Sequence, residues 1–464
     1  MSDADPISRT DAPAYGFYGD DFTGATDTLA HLARAGLRAM LFFAPPDAAR
    51  LAMVGRLDAI GVAGAARTMP PHAQREELSQ VGAAFAALGV RLMHYKVCST
   101  FDSAPQTGSI GVAIRTLREY CASPLVAVVG GQPNLRRYCV FGELFAAAGA
   151  DDHPQSIYRI DRHPTMSRHP VTPMNEADLR IHLHSQGLEN VQSIDWRWYT
   201  RGDTALQAEV ARQLDSKPGA VLFDVLDDTH LQAIGRVLAR HAAARAPLLA
   251  VGASSVAQAY VSALAARNED PQRVTPPSSP SPTLPRARGP VFVLAGSLSP
   301  LTEVQIAAAH SYLRVELDPL QMTDDGASDY LAARVAAIAG PLRDGRNVLA
   351  FTTRRAAQMS GTAGALPQLA QVCAELLRQV LGAVKLQRVG IAGGDTSSFA
   401  VRALGAWGLS YLAPLSAGVT VCRLHADRSE LDGMEIMLKG GQMGDADLFE
   451  QLLTGALGDA VENG

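Results

Sequence analysis

The sequence predicts an α/β protein of two domains, each a mostly parallel sheet covered by helices, with an active-site cleft between them. Three observations carry that prediction. Short apolar runs recur along the chain, each followed by a Gly/Ser/Asp turn and then a helical stretch. At 464 residues, with 47% hydrophobic and 19% charged residues, the chain is long and apolar enough for two or three buried cores. Asp270 to Pro290 holds seven prolines, several serines and no hydrophobic period, so neither a helix nor an inner strand continues through it. The expected division is a flexible N-terminal tail over 1–14, a first domain over 15–269, a linker over 270–290 and a second domain over 291–464.

In the first domain, Tyr15 to Gly19 is an apolar run that precedes Asp20-Asp21-Phe22-Thr23-Gly24-Ala25, with a helix from about Thr26 to Arg34 stopped by Gly36. Gly61 to Ala66 is another such run and ends at Arg67. Arg91 to Tyr95 leads into the polar loop Lys96 to Ser103, and the next helix starts near Ser109. Leu125 to Val129 runs into Gly130-Gly131, and Leu248 to Val251 into Gly252-Ala253-Ser254-Ser255. His169-Pro170-Val171-Thr172-Pro173-Met174 reads as a rigid extended segment, because proline disfavours the helical conformation in the residue before it. Trp196, Trp198 and Tyr199 read as core or interface aromatics. In the second domain, Val291 to Ala295 runs into Gly296-Ser297-Leu298-Ser299-Pro300, with Pro300 suited to a first helical turn. Val348 to Phe351 precedes Thr352-Thr353-Arg354. Leu386 to Ala392 runs into Gly393-Gly394-Asp395-Thr396 and a helix to about Leu404. Ligands of such sheets bind beyond the carboxyl ends of the strands, where these turns lie.

The turn at Gly393 to Thr396 is the best candidate for holding phosphate. Two glycines let backbone approach a ligand, and the following helix aims free amides and its positive end at the turn. Asp395 either caps that helix or orients a magnesium ion through water. Gly296-Ser297 repeats the geometry, and Lys439-Gly440-Gly441-Gln442-Met443-Gly444-Asp445 suits a loop folding over a nucleotide. Each alone is also compatible with an ordinary capped helix or terminal loop; three in one domain point to nucleotide. There is no G-x-x-x-x-G-K-[ST] and no early G-x-G-x-x-G, which argues against a P-loop and against a dinucleotide site. Asp20 and Asp21 directly follow a strand, where two carboxylates can bind a polyol or take a proton from a hydroxyl, or simply cap a helix. Arg67 beyond a strand end is a natural fork for a carboxylate, or a solvated arginine.

Net charge is -5 and the isoelectric point about 6.2, so no basic excess exists to hold a nucleic acid. Cys98, Cys121, Cys139, Cys373 and Cys422 include no C-x-x-C pair, which fits reduced thiols in the cytoplasm. No apolar run reaches membrane-spanning length and the first residues lack an apolar leader core. His182 and His184, two apart, fall on different helix faces, and no ligand cluster of metal spacing is present.

From about Tyr15 to Leu453 the sequence resembles the four-carbon acid sugar kinases. The residues that carry the resemblance are Asp20-Asp21-Phe22-Thr23-Gly24-Ala25-Thr26-Asp27, Gly296-Ser297 with Thr302 and Gln305, Gly393-Gly394-Asp395-Thr396, and Lys439-Gly440-Gly441, with His169 to Met174 as a further segment. The resemblance implies an acid-sugar-binding first domain, a nucleotide-binding second domain, and transfer from ATP with Mg²⁺ to the terminal hydroxyl of threonate, erythronate or a 3-oxo-tetronate. It implies that Asp20 or Asp21, Arg67 and Lys96, Val97, Cys98 and Ser99 hold the acid sugar, with Asp20 or Asp21 as base. It implies that Ser297, Gly393, Gly394, Asp395, Thr396 and Gly440 or Gly441 hold ATP. No nucleic-acid or membrane partner is implied, and a homodimer stays open.

One departure stands out. The family loop reads Lys-x-Asp-Ser-Thr-Leu-Arg-Gly-Asn; here Cys98 replaces the aspartate, Asp102 replaces the arginine, and Asp102 to Gly108 is expanded. Exchanging a cation for an anion changes the charge a pocket tolerates. An NAD-dependent sugar-acid dehydrogenase and a non-catalytic acid-sugar and nucleotide binder remain as alternatives.

Overall fold

A computed structural model describes residues 12–148, 156–169, 171–242, 247–268, 283–297, 299–324, 327–353, 365–441 and 443–455. The chain divides into two compact units, Met1–Ser278 and Ser279–Gly464.

Unit 1 begins with β1 (Tyr15–Gly19), α1 (Phe22–Arg34), β2 (Ala39–Phe42), α2 (Ala48–Val54), β3 (Ala59–Ala63), α3 (Pro71–Ala87), β4 (Leu92–Lys96), α4 (Ile110–Arg118) and β5 (Val126–Val129). A small antiparallel meander follows: β6 (Gly131–Gln132), β7 (Arg137–Val140), β8 (Glu143–Ala147) and β9 (Ile157–Arg159). The chain then returns to the main sheet through α5 (Leu179–His184), β10 (Val191–Ile194), α6 (Asp203–Leu214), β11 (Ala220–Phe223), α7 (Asp228–His241), β12 (Leu248–Gly252) and α8 (Ser255–Asn268). The main strands run parallel in the order β10-β11-β5-β12-β4-β1-β3-β2. β1, β3, β4, β5 and β12 are buried along their whole length, as a sheet covered on both faces requires. Gly19 pairs with Ala63 and with Lys96, and Lys96 with Gly252, so these four strands end in line. The strands that follow β1 lie to one side of it and the strand that follows β4 lies to the other. The crevice where a doubly wound sheet binds ligands therefore opens between the ends of β1 and β4.

Unit 2 contains β13 (Val291–Ala295), α9 (Pro300–Ala308), β14 (Leu313–Leu317), α10 (Ala327–Arg343), β15 (Val348–Thr352), α11 (Ala365–Ala383), β16 (Arg388–Ala392), α12 (Gly394–Ala403), β17 (Ala406–Ser416), β18 (Val419–Ala426), β19 (Glu435–Lys439) and α13 (Leu448–Thr454). Its order is β17-β18-β19-β16-β13-β15-β14, parallel from β19 to β14 and antiparallel at β17-β18-β19. Here the chain leaves β13 and β16 in opposite directions, so the crevice opens between their ends. Arg388 and Glu435, paired across β16 and β19, form a buried ion pair at 2.6 Å. Arg388 also donates to the Leu452 carbonyl at 2.8 Å, anchoring α13. Removing one partner of such a pair costs about 3–5 kcal/mol, because it strands the other charge.

Several local expectations change. α1 starts at Phe22, not Thr26, because Asp21 accepts from the Gly24 amide and caps the helix there. α12 starts at Gly394 with Gly393 as its cap, so neither Asp395 nor Thr396 is the capping residue. The small meander and the β17-β18 hairpin were not expected. The hairpin closes through Gly418 at φ 68, a conformation that costs glycine little. His169 to Met174 is folded back rather than extended: His169 Nδ1 accepts from the Thr172 amide and Met174 donates to the Met166 carbonyl; Pro170 lies outside the described residues. Trp196, Trp198 and Tyr199 lie half-buried in a 3-10 turn over 196–201, with Trp196 and Tyr199 against His230 and Arg201 over Trp198. The 1–14 tail lies outside the described residues up to 11, and the expected linker does so up to 282. Beyond that, Leu284 is buried in the core of unit 2 and the Pro285 carbonyl accepts from Arg388, so the Pro-rich stretch is anchored at its C-terminal end.

Candidate functional site

Unit 1 gathers its candidates at the β1/β4 crevice. Asp20 and Asp21 follow β1, and Arg67 sits in a 3-10 turn (Ala66–Thr68) after β3. Lys96 ends β4. Arg67 Nη2 donates to Asp20 Oδ1 at 2.7 Å, Nε to Asp20 Oδ2 at 3.2 Å, and Nη1 to Asp21 Oδ2 at 3.0 Å. Lys96 Nζ stands 3.7 Å from Asp21 Oδ1. The arginine fork expected for a substrate carboxylate is thus turned onto both aspartates. Three of its five N–H donors are engaged there and two remain. Lys96 lies over the first turn of α1: a Cβ at Gly24 would come 1.6 Å from its ammonium, which explains a glycine inside a helix.

The two aspartates are set apart by their surroundings. Burial pushes the Asp20 carboxyl up to about 6, against the pull of Arg67. Burial acts on Asp21 too, but Arg67, Lys96, the Thr23 hydroxyl and the Gly24 amide outweigh it and hold Asp21 down at about 2. Asp21 is thus a permanently charged anchor, while Asp20 sits where a proton can be exchanged near neutrality.

The loop after β4 divides in role. Val97 is buried, with its amide on the Gly252 carbonyl, and packs as core. Cys98 and Ser99 are partly exposed. Thr100 donates to Asp102 at 2.6 Å, and Asp102 is buried and close enough to Arg67 to strengthen its charge. Burial and Asp102 push the Cys98 thiol up, so it stays protonated. Phe101 adopts φ 54, a costly conformation for a bulky residue. The expanded 102–108 segment folds against Arg67: a Cβ at Gly108 would come 2.4 Å from the Arg67 carbonyl. Further polar contacts tie α1 to neighbouring elements. Asp27 accepts from Gln132 at 3.2 Å and stands 3.6 Å from His31, and Thr28 shares a buried hydrogen bond with Ser254 at 3.0 Å. The Asp27/His31 spacing of four was the available sequence signal. Ser254 lay in the Gly252–Ser255 turn after an apolar run; Gln132 had no such signal.

Unit 2 gathers its candidates at the β13/β16 crevice. A Cβ at Gly296 would fall 2.2 Å from Thr396 Oγ1, one at Gly393 would fall 3.2 Å from the Ser297 amide, and one at Gly441 would fall 2.8 Å from Ser297 Oγ. The three glycine turns therefore touch one another. Gly393 donates to the Lys439 carbonyl, and Gly296 and Ser297 donate to the Ala392 carbonyl. Gly394 opens α12 and its missing side chain points into open space, with nothing within 4 Å. Gly440 follows β19 directly. The Asp395 side chain and Gln442 lie outside the described residues. Thr302 and Gln305, fully buried on α9, hold the loop: Thr302 donates to the Gly441 carbonyl, and Gln305 Nε2 to those of Met443, Gly444 and Asp445. Amides, hydroxyls and a helix N-terminus around open space make an anion cradle. A hollow of about 380 Å³ between α10 and α11, lined by Met322, Leu331 and Val372 among others, includes none of these residues. Among the described residues no helix is long and apolar enough to cross a membrane.

Known proteins share both halves. Residues 15–260 match the model of a sugar-binding N-terminal domain, and residues 292–449 that of a nucleotide-binding C-terminal domain. A 3-oxo-isoapionate kinase of Paraburkholderia graminis is 36% identical, covering 98% of this chain and 99% of the relative. A 3-oxo-tetronate kinase of Methylobacterium radiotolerans is 29% identical, covering 95% and 98%. A crystal structure of a Salmonella typhimurium LT2 protein superposes with a TM-score of 0.74 at 22% identity, covering 94% and 98%, and shares the fold.

Proposed function

The chain belongs to the four-carbon acid sugar kinase family, and from that premise we propose that it phosphorylates the terminal hydroxyl of a small 3-oxo sugar acid with ATP. The observation that supports the reading is that each unit has a set of polar groups at the switch point of its own parallel sheet: carboxylates and cations in one, backbone amides and hydroxyls in the other. Phosphoryl transfer asks the protein for positioning and charge neutralisation more than for covalent chemistry. Unit 1 holds the acceptor. Asp20 takes the hydroxyl proton, Asp21 stays ionised and fixes Arg67 and Lys96, and these two cations together with Ser99 hold the acid. Unit 2 holds ATP on Ser297, Gly393, Gly394, Thr396, Gly440 and Gly441. Mg²⁺ would travel with the phosphates and keep much of its water, Asp395 is the carboxylate that would orient it, and it would supply neutralisation of phosphate charge. The 15–269 and 291–464 divisions serve as acid-sugar and nucleotide domains, and 270–290 as the connection between them.

The relatives' names favour 3-oxo acids of four carbons or a branched five-carbon skeleton. The Cys98 and Asp102 exchanges argue that the acceptor here is not the common tetronate. ADP release measured with ATP, Mg²⁺ and a panel of tetronates, 3-oxo-tetronates and branched 3-oxo acids tests this. Turnover with a branched or 3-oxo acid is expected, and silence across the panel with correctly folded protein refutes it.

A further inference from the structure

We propose that Lys439 is the built-in counter-charge of the phosphate cradle, a positioning residue that holds the glycine loop and takes up a proton when nucleotide binds. The proposal rests on the reading of unit 2 as the nucleotide site.

Lys439 ends β19 beside Ala392 of β16, at the mouth of the crevice. Its side chain is 1% exposed, yet among the described residues no carboxylate lies within ion-pair distance of it. Its ammonium donates instead to two neutral groups, Thr302 Oγ1 at 3.1 Å and Gln305 Oε1. Those two side chains hold Gly441 and Met443 to Asp445: Thr302 bonds the Gly441 carbonyl and Gln305 the other three. The Lys439 carbonyl holds the Gly393 amide. One residue thus links all of the β16 turn, α9 and the glycine loop.

A structural spacer at this position has no need of charge. Burying an ammonium without an anion is costly, and an apolar side chain of similar volume is often neutral or stabilising in its place. The location worsens the cost, because Thr302 belongs to the first turn of α9, where the helix dipole is positive. Burial pushes Lys439 down to about 7, and among the described residues no neighbouring charge offsets it. None of the described charged groups on the packed elements forms an ion pair with Lys439. Asp445 accepts from Ser416, and Glu435 pairs with Arg388 at the other end of β19. On β18, His425 bonds Ser410 and Arg423 is exposed. Glu303 on α9 is half-buried, Arg402 lies in the last turn of α12, and the Asp395 side chain is outside the described residues. The missing anion is the polyphosphate of a nucleotide, seated among the turns that Lys439 holds together. Its arrival favours the ammonium form, so a proton moves from solvent to Nζ and the free amine becomes –NH₃⁺.

The test is calorimetric titration of the full-length protein with ADP at pH 8, in HEPES and in Tris, whose ionisation enthalpies differ. At that pH the phosphates of ADP are already ionised and the buried Lys439 is mostly neutral. The wild type is expected to take up close to one proton per ADP. Lys439→Met is expected to lose the uptake and to bind about tenfold to a hundredfold more weakly. Its empty form loses the Nζ hydrogen bonds to Thr302 and Gln305, so thermal unfolding is recorded beside binding, and the lost proton uptake, which removal of a purely structural lysine would not produce, reads the charge. Lys439→Arg is expected to bind without uptake. Binding by wild type with no uptake, or the same uptake in Lys439→Met, overturns the proposal. Failure of wild type to bind ADP at any pH overturns instead the nucleotide reading beneath it.

Discussion

Replacing Gly394 by alanine separates folding from nucleotide binding. Gly394 is the first residue of α12, its φ is not positive, and a Cβ there meets nothing within 4 Å. Folding therefore loses nothing, and alanine in place of glycine in a helix gains up to about 1 kcal/mol. The new methyl occupies the space above the α12 amides where a phosphate is proposed to sit. Displacing that phosphate breaks at least two charge-assisted hydrogen bonds, each about 1.5–3 kcal/mol, so binding should weaken by about 3 kcal/mol or more, over about a hundredfold. Gly394→Val, with more bulk, should abolish binding. Gly296→Ala is the contrast, because its Cβ would fall 2.2 Å from Thr396 Oγ1 and must displace that side chain. It should lower the unfolding temperature as well as affinity. Calorimetric titration with a non-hydrolysable ATP analogue, paired with thermal unfolding, reads both quantities. ATP affinity unchanged in Gly394→Ala refutes the phosphate cradle at α12.

Three further outcomes follow from unit 1. If Asp20 is the base, kcat/KM should fall as pH drops below about 6, where the carboxylate takes up a proton, and Asp20→Asn should leave a low rate without that limb; a wild-type profile flat from pH 5 to 8 counts against the role. Asp21 lies at about 2, below its ordinary 3.8, so its stabilisation is complete above about pH 4 and disappears as pH falls through 2. Asp21→Asn, which can still cap α1, should cost about 2 kcal/mol in urea unfolding at pH 7 and progressively less toward pH 2; an equal cost at pH 2 contradicts this. Asp102→Asn removes a buried negative charge beside Arg67 and should lower KM for acid substrates severalfold with kcat nearly unchanged, as steady-state assays would show; a higher KM would mean that Asp102 contacts the acceptor.

Much of the architecture was legible because it rests on local rules. Apolar runs ending in Gly, Ser or Asp turns marked the parallel strands, and Ser109 and Pro300 marked helix starts where helices begin. The antiparallel meander at 131–159 and the β17-β18 hairpin escaped, because short runs such as Arg137–Val140 carry no period that separates them from loops. Asp20, Asp21, Arg67 and Lys96 were legible as candidates from their place after apolar runs. The pairings of Gln132, Ser254 and Lys439 were not, since their partners lie 105, 226 and 137 positions away.

By itself the sequence determined the parallel strands and the helices that follow them, the turns where backbone can approach a ligand, and the chemical kind of residue stationed at each turn, because turn geometry and helix capping act over a few residues. Tertiary structure alone decided that β1 stands beside β4 and β13 beside β16. That strand order brings Arg67 onto both aspartates and places Lys439 beneath the glycine loop; burial there drives Asp20 up, while Arg67, Lys96 and local hydrogen bonds outweigh burial and hold Asp21 down. Charges and pKa values depend on what lies within a few ångströms in space, and chain distance carries no record of that.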